Sequence, residues 1–286
     1  PAALGGSGDK DTGMYDLIFR NGLVIDGSGA AAFRADVGVR GSQIAAVGDL
    51  SQAEAAQVVD ASGLMVAPGF IDMHSHGDFM LPFLPTADSK VQQGITLHVV
   101  GTCCSSMAPL SPAIAAEVNQ ETDSRARQEV TWETFAVFLD TLLRHGTALN
   151  VVALVGHGTI REKVMGMTDA APTPEQLAAM QDEVRAAMQA GARGLSTGLI
   201  YTPNVYAKTD EIVALARTAA EMGGIYTSHV RGEGNTLLEA VDEAIQVGRE
   251  AGISVEVSHL KASGVRNWDK MAQVIDPELL LESLGG

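Results

Sequence analysis

His74 and His76 form an HxH pair in APGFIDMHSHGD (Ala67 to Asp78), at the polar end of a short apolar run. Neutral imidazole is a good Zn²⁺ ligand, and two together can begin a coordination sphere. The spacing is that of a strand: side chains at i and i+2 share one face of a β-strand, whereas on a helix they lie roughly 200° apart. LMVAPGFIDM therefore reads as a buried strand carrying both imidazoles. An HxH alone is weak evidence, because two histidines on a solvated strand end give the same pattern.

Other ligand-type residues fall in equivalent places. His229 in IYTSHVR and His259 in VEVSHLK also close apolar runs, and Cys103 follows ITLHVVGT. A thiolate can bind one Zn²⁺ or bridge two. Singly, each of these residues reads as an ordinary rim or core side chain, and the joint pattern is what is informative. His157 in VALVGHGTIR also follows an expected strand, where it can touch substrate, orient a ligand or make a rim hydrogen bond. Arg231 and Lys261 stand two positions after His229 and His259 and share their faces, where a cation can bind a substrate carboxylate or make a solvated salt bridge. Asp72 and Asp78 share the parity of the HxH pair and could fix an imidazole tautomer. His98, of opposite parity to Cys103, and His145, before Gly146, read as structural.

A competing signal lies in GARGLSTGLIYTPNVYA, where Gly194 to Gly198 match the GxSxG nucleophile elbow with Ser196 at its centre. A serine hydrolase gives the HxH and Cys103 no role. The alternative is a glycine-flanked Ser-Thr loop with Tyr201 reaching over the site.

Positioning these residues requires a particular architecture. From Tyr15 to about Met65 the chain is short, β-branched and punctuated by Gly or Asp-Gly, which predicts a small antiparallel β-domain. Beyond it, strands around Phe70, Leu97, Val152, Leu195, Tyr226 and Val257 alternate with helical stretches such as PEQLAAMQDEVRAAMQAG. Pro174 behind Thr173 opens one helix, and Gly191, Gly223 and Gly252 close helices. Six βα units predict an α/β fold of the (β/α)8 TIM-barrel type, in which the C-terminal strand ends share one rim. The expected segments are a flexible tail (1–14), a β-sandwich segment (15–66), an incomplete barrel (67–276) and an unpatterned tail (277–286).

With 286 residues, 46% of them hydrophobic, the chain can bury a barrel-sized core. Its net charge of −16 argues against nucleic acid and anionic membrane surfaces as partners, and no apolar run is long enough for a membrane helix. Cys103 and Cys104 are adjacent, which excludes a disulfide framework and leaves thiols or ligands. No secretory signal pattern opens the chain, so the expected compartment is the cytoplasm, with periplasm or secretion left open.

These residues resemble the amidohydrolase superfamily and, within it, the N-acyl-D-amino-acid deacylase (D-aminoacylase) family. PGFIDMHSHGD is similar to its first-strand metal motif, GTCCSSMAP to its cysteine segment, GLSTGLIYTPNVYA to its fourth-strand loop, and YTSHVRGEG and VSHLKASGVRNW to its fifth- and sixth-strand motifs. The resemblance spans about Tyr15 to Asp276. It implies that Cys103, His229 and His259 hold a tighter zinc, that His74 and His76 serve a second, weaker position, and that Cys103 bridges when both are filled. It also implies that Tyr201 and Lys261 contact the substrate carbonyl or carboxylate. Most relatives that hydrolyse cyclic amides bridge their metals with a carboxylated lysine, and the fourth-strand segment here offers Ser196 and Thr197 but no lysine, which favours the deacylase branch.

Two departures stand out. Cys104 replaces a glycine that usually follows the ligand cysteine, and the sequence has no counterpart of strands seven and eight or of the strand-eight aspartate that serves as general base. The resulting expectation is a zinc-dependent hydrolase of N-acyl, D-configured amino acids with no nucleic-acid or membrane partner, its base lying beyond Gly286. A cyclic-amide hydrolase and a catalytically silent fragment that binds metal or a partner are the alternatives. Oligomeric state is not legible.

Overall fold

A computed structural model describes residues 14–121 and 130–275. The polar opening of the chain and its last residues, expected to be tails, lie outside the described residues apart from Met14. The chain divides into one compact unit through Gly69 and a second from Phe70.

The first unit contains β1 (Tyr15–Val24), β2 (Phe33–Arg40), β3 (Gln43–Gly48), β4 (Ala55–Asp60) and β5 (Met65–Val66). The antiparallel sandwich expected here is instead one mixed sheet among the described residues, ordered β3-β2-β1-β4 with β5 also on β1. β1 and β2, and β2 and β3, pair antiparallel, whereas β4 and β5 run parallel to β1. Strand length explains the difference. Ten-residue β1 offers Tyr15–Arg20 to β4 and Leu23–Val24 to β5, so the chain leaves the β2–β3 hairpin and returns on the far side of β1.

The second unit contains β6 (Phe70–Asp72), α1 (Asp88–Val91), β7 (Ile95–Val100), α2 (Pro112–Glu121), α3 (Phe135–His145), β8 (Asn150–Ala153), β9 (Val155–Gly156), α4 (His157–Met165), α5 (Pro174–Ala190), β10 (Gly194–Gly198), α6 (Thr209–Ala220), β11 (Ile225–His229), α7 (Leu237–Ala251), β12 (Ser254–Val257) and α8 (Lys270–Val274). All its strand pairings are parallel, in the order β6-β7-β8 and β9-β10-β11-β12. β8 and β9 are one run interrupted at Leu154, whose N–H donates to Val100 O at 2.9 Å, so the two sheets are continuous there. This is the α/β succession of a (β/α)8 barrel, with six strand positions present.

The core lies between these strands and their helices. Every residue of β10 is buried, as expected for a parallel strand covered on both faces. Trp132 packs edge-on against Phe138 at 5.2 Å, and Ile160, Met180, Leu195 and Leu215 are wholly buried. Each such side chain contributes about 1.5–3 kcal/mol of hydrophobic stabilisation. Thr173 and Gln176 form a capping box at the start of α5, and Gly191 and Gly252 adopt left-handed C-caps. Gly223 lies three residues beyond the last residue of α6 rather than at its cap. Among the described residues no helix is long and apolar enough to cross a membrane.

Candidate metal centre

Parallel strands deliver their C-terminal ends to a common rim, and the ligand-type residues stand there. His229 ends β11, Cys103 follows β7 by three residues, and His74 and His259 each follow their strands by two. Cys103 Sγ lies 3.3 Å from His74 Nε2, 3.4 Å from His259 Nε2 and 3.5 Å from His229 Nδ1. His74 and His229 each stack edge-on against His259, with centroids 4.9 and 4.3 Å apart.

Backbone geometry concentrates at this point. Cys103, Cys104 and His259 have φ of 50°, 72° and 39°. A left-handed non-glycine residue costs about 1–3 kcal/mol and persists only where its surroundings fix it. The glycine expected in place of Cys104 would adopt this φ without that cost, so the departure noted in the sequence falls where glycine has most to offer. The cysteine loop is seated on two glycines. A Cβ on Gly156 would lie 2.2 Å from Cys104 O, and one on Gly198 would lie 2.8 Å from Cys103 O. Gly198 of the GxSxG match thus serves close backbone approach. Ser196 is wholly buried and donates to Gly101 O at 2.5 Å, which removes it as a nucleophile.

The donor set fits zinc. Zn–S and Zn–N bonds of about 2.3 and 2.0 Å in a tetrahedron separate sulfur from nitrogen by roughly 3.5 Å, close to the three distances seen around Cys103. The donors form two overlapping groups, His74–Cys103–His259 and His229–Glu233–His259, each drawn together within 4.8 Å. The first joins His74 directly to Cys103, whereas the resemblance implied Cys103 with both His229 and His259. Electrostatics favour neutral imidazoles. Burial, then the neighbouring His259, His76 and His229, hold His74 down at about 4, and burial with His259 also lowers His229. Burial pushes the Cys103 thiol up to about 11, so its ionisation calls for a cation.

The remaining expected site residues separate sharply. His76 lies past the strand, its exposed ring edge-on to His74 at 5.6 Å and outside both donor groups. β6 ends at Asp72, so the common-face argument fails for a pair that continues into a bend. Tyr201 reaches over the cluster, its hydroxyl 3.4 Å from His229 Nδ1. Lys261 stands at the rim, donating to Glu233 and lying 3.0 Å from His259 Nδ1. Two expectations require correction. His157 is wholly buried, with Nδ1 2.6 Å from Asn204 Oδ1 and Nε2 2.8 Å from Glu211 Oε1, so neither nitrogen is available to substrate. Arg231 spends its guanidinium on Glu243 at 2.8 and 2.9 Å and on the carbonyls of Val205 and Ala207.

Neither proposed tautomer-fixing aspartate reaches an imidazole. Asp72 pairs with Lys90 at 2.5 Å and accepts the His74 backbone N–H, while buried Asp78 accepts the Met107 N–H at 3.3 Å. His98 is buried in β7 and His145 lies in the last turn of α3, and neither belongs to a donor group. Sequence reasoning missed Glu233, whose Oε1 lies 3.4 Å from His229 Nε2 and 3.3 Å from His259 Nδ1. Its one signal was an acidic residue between Gly232 and Gly234, just past a strand-end histidine.

The chain is similar to known proteins in sequence and fold. An amidohydrolase family model matches residues 57–284. The chain is 41% identical over 269 residues to the D-aminoacylase of Alcaligenes xylosoxydans xylosoxydans, covering 93% of this chain and 54% of that protein. N-acyl-D-glutamate deacylase from Bordetella bronchiseptica, solved with zinc and a phosphonate mimic of the tetrahedral intermediate, superposes with a TM-score of 0.86 at 38% identity, over 96% of this chain and 57% of that one. A D-aminoacylase whose binuclear centre shows one-metal activation and second-metal attenuation gives 0.87 at 36% identity, over 95% and 56%. The chain spans about half the length of the relatives it matches. With most of its length matched by the family model and its donor residues on the rim of a parallel βα wall, the chain belongs to the amidohydrolase family.

Proposed function

We propose that this protein is a zinc-dependent hydrolase that cleaves the amide bond of N-acyl-D-amino acids. The observation that carries the reading is the Cys103 thiol standing 3.3–3.5 Å from three imidazoles at a strand-end rim. Bound zinc supplies a Lewis acid that polarises the amide carbonyl and activates the attacking water. In this reading Cys103, His229 and His259 would hold the tighter ion and His74, also beside Cys103, would serve a weaker one, while His76 stays outside both donor groups. In the same reading Tyr201, whose hydroxyl lies 3.4 Å from His229 Nδ1, would donate to the substrate carbonyl, and half-exposed Lys261 would receive the amino-acid carboxylate. Glu233 accepts from the Lys261 ammonium and restrains it.

The test is hydrolysis of matched N-acetyl-D- and N-acetyl-L-amino acids and a hydantoin, before and after chelation and with zinc restored. Activity on the D-series, lost on chelation and recovered with zinc, is expected, and Ser196→Ala should retain it. Activity that survives chelation but disappears in Ser196→Ala would sink the metal reading, and preference for the hydantoin would change the substrate class.

A further inference from the structure

The segment from Leu199 to Ala207, which brings Tyr201 over the cluster, is anchored in the core at its two ends, Leu199 and Ala207, but its intervening apolar side chains are largely open. Ile200, Tyr201, Val205 and Tyr206 are each more than a third exposed. Two hydrogen-bonded networks with charged members hold it. On one side, fully buried His157 grips the side chain of fully buried Asn204, and its other nitrogen meets Glu211. Arg161, also fully buried, donates Nε to the same Glu211 oxygen at 3.1 Å and its remaining nitrogens to Thr168 O and Ala170 O. On the other side, Arg231 Nη1 donates to Val205 O at 3.1 Å and Nη2 to Ala207 O at 3.0 Å. Glu243 holds that guanidinium through both oxygens and also accepts from Thr209 Oγ1 at 2.9 Å.

We infer that Arg231 with Glu243, and His157 through Asn204, are positioning residues that fix the Tyr201 loop over the metal cluster. The two clamps seize different points of one short loop, at the Asn204 side chain and at the carbonyls flanking Tyr206. A guanidinium forked between a carboxylate and two carbonyls keeps one Nη1–H of its five, too few for a bidentate grip on a substrate carboxylate. A ring with both nitrogens engaged in the interior likewise cannot reach substrate. These residues therefore act through the phenol, by removing freedom that Tyr201 would otherwise lose on meeting substrate.

The inference rests on the deacylase reading only for its kinetic test. In the purified full chain, Arg231→Gln and Asn204→Ala are compared with Tyr201→Phe and with each combined double variant, against the best substrate of an N-acetyl-D-amino-acid panel. Misplacement by about 1 Å can cost up to about 100-fold, so each single variant should lose rate comparably, mainly in kcat. Each double variant should lose no more than the worse single, because both changes disable the same phenol. Hydrogen exchange should rise in residues 199–207, with the α5 amides and retained zinc unchanged. Multiplying losses, or a rise in KM with kcat unchanged in Arg231→Gln, would overturn the inference by making Arg231 an independent or direct contact. If the parent hydrolyses nothing in the panel, the deacylase reading fails separately, and unchanged loop exchange in both clamp variants still refutes the clamp. Should Arg231→Gln fail to fold, Glu243→Gln loosens the same guanidinium with smaller disruption and carries the same expectations.

Discussion

The Cys103 thiol combines burial, a left-handed backbone and three imidazoles, and these have one explanation in common. Burial holds it protonated up to about 11, so an isolated Cys103 would be inert, while a divalent cation among its neighbours favours the thiolate. Cys103→Ala is therefore expected to release zinc that the parent retains through dialysis, as measured by metal content, with the secondary structure intact. Glu233 faces the outer nitrogens of His229 and His259, the place from which a carboxylate sets which nitrogen carries the proton. Glu233→Gln should weaken zinc binding about 10–100-fold in a chelator competition; an unchanged affinity would reduce Glu233 to a partner of Lys261.

At the scale of elements, close backbone approach decides whether the cysteine loop can exist. In Gly156→Ala the new methyl would meet Cys104 O at 2.2 Å, with the Cys104 carbonyl carbon and the Ser106 nitrogen also within 3 Å. Overpacking of this kind costs about 1–3 kcal/mol or more, and the loop must lift. Denaturant unfolding should report that loss, together with weaker zinc retention. Thr173→Ala, at the capping box of distant α5, should cost about 1 kcal/mol and leave zinc binding unchanged. Helix α6 contributes Glu211 to the buried network. Burial pushes this carboxyl up, but the hydrogen bond from His157 and the charges of His157 and Arg161 outweigh it, leaving it below 4.5. A depressed native value means stability present above the unfolded value and lost as pH falls through the native one. Urea midpoints should drop on acidification below about pH 4.5, and Glu211→Gln should flatten that acid limb while lowering stability near neutrality.

For the whole molecule, the donors come from four strand ends spread over the chain from His74 to His259, so an ion held among them links segments that local structure does not connect. Zinc at about 100 times its dissociation constant should stabilise the native state by about 2.7 kcal/mol, provided the unfolded chain binds it negligibly. A rise in Tm with added zinc, reversed by chelation and absent in Cys103→Ala, is the expected result. An equal rise in Cys103→Ala would place the ion elsewhere.

The sequence by itself determined the βα alternation and the candidate donors, because both are local signals. Apolar periodicity marks each strand, and His74, Cys103, His229 and His259 each declare themselves as ligand types at an apolar run's end. Parity also set His98 apart from Cys103, but β7 ends at Val100 and Cys103 stands in a left-handed turn beyond it, so the turn and not strand parity aims the thiol. Parity failed where the strand stopped: β6 ends at Asp72, so His74 turns into the cluster and His76 does not. The same local pattern that put His157 and Arg231 at the rim could not reveal Asn204, Glu211 and Glu243, because those partners arrive from distant elements and consume the donors. Nor could it reveal Glu233, which belongs to no strand face and acquires its role only when β11 and β12 lie side by side. Side-chain type and spacing are written along the chain, but whether a polar group remains free for a ligand depends on which remote groups fold against it, and only the tertiary structure decides that.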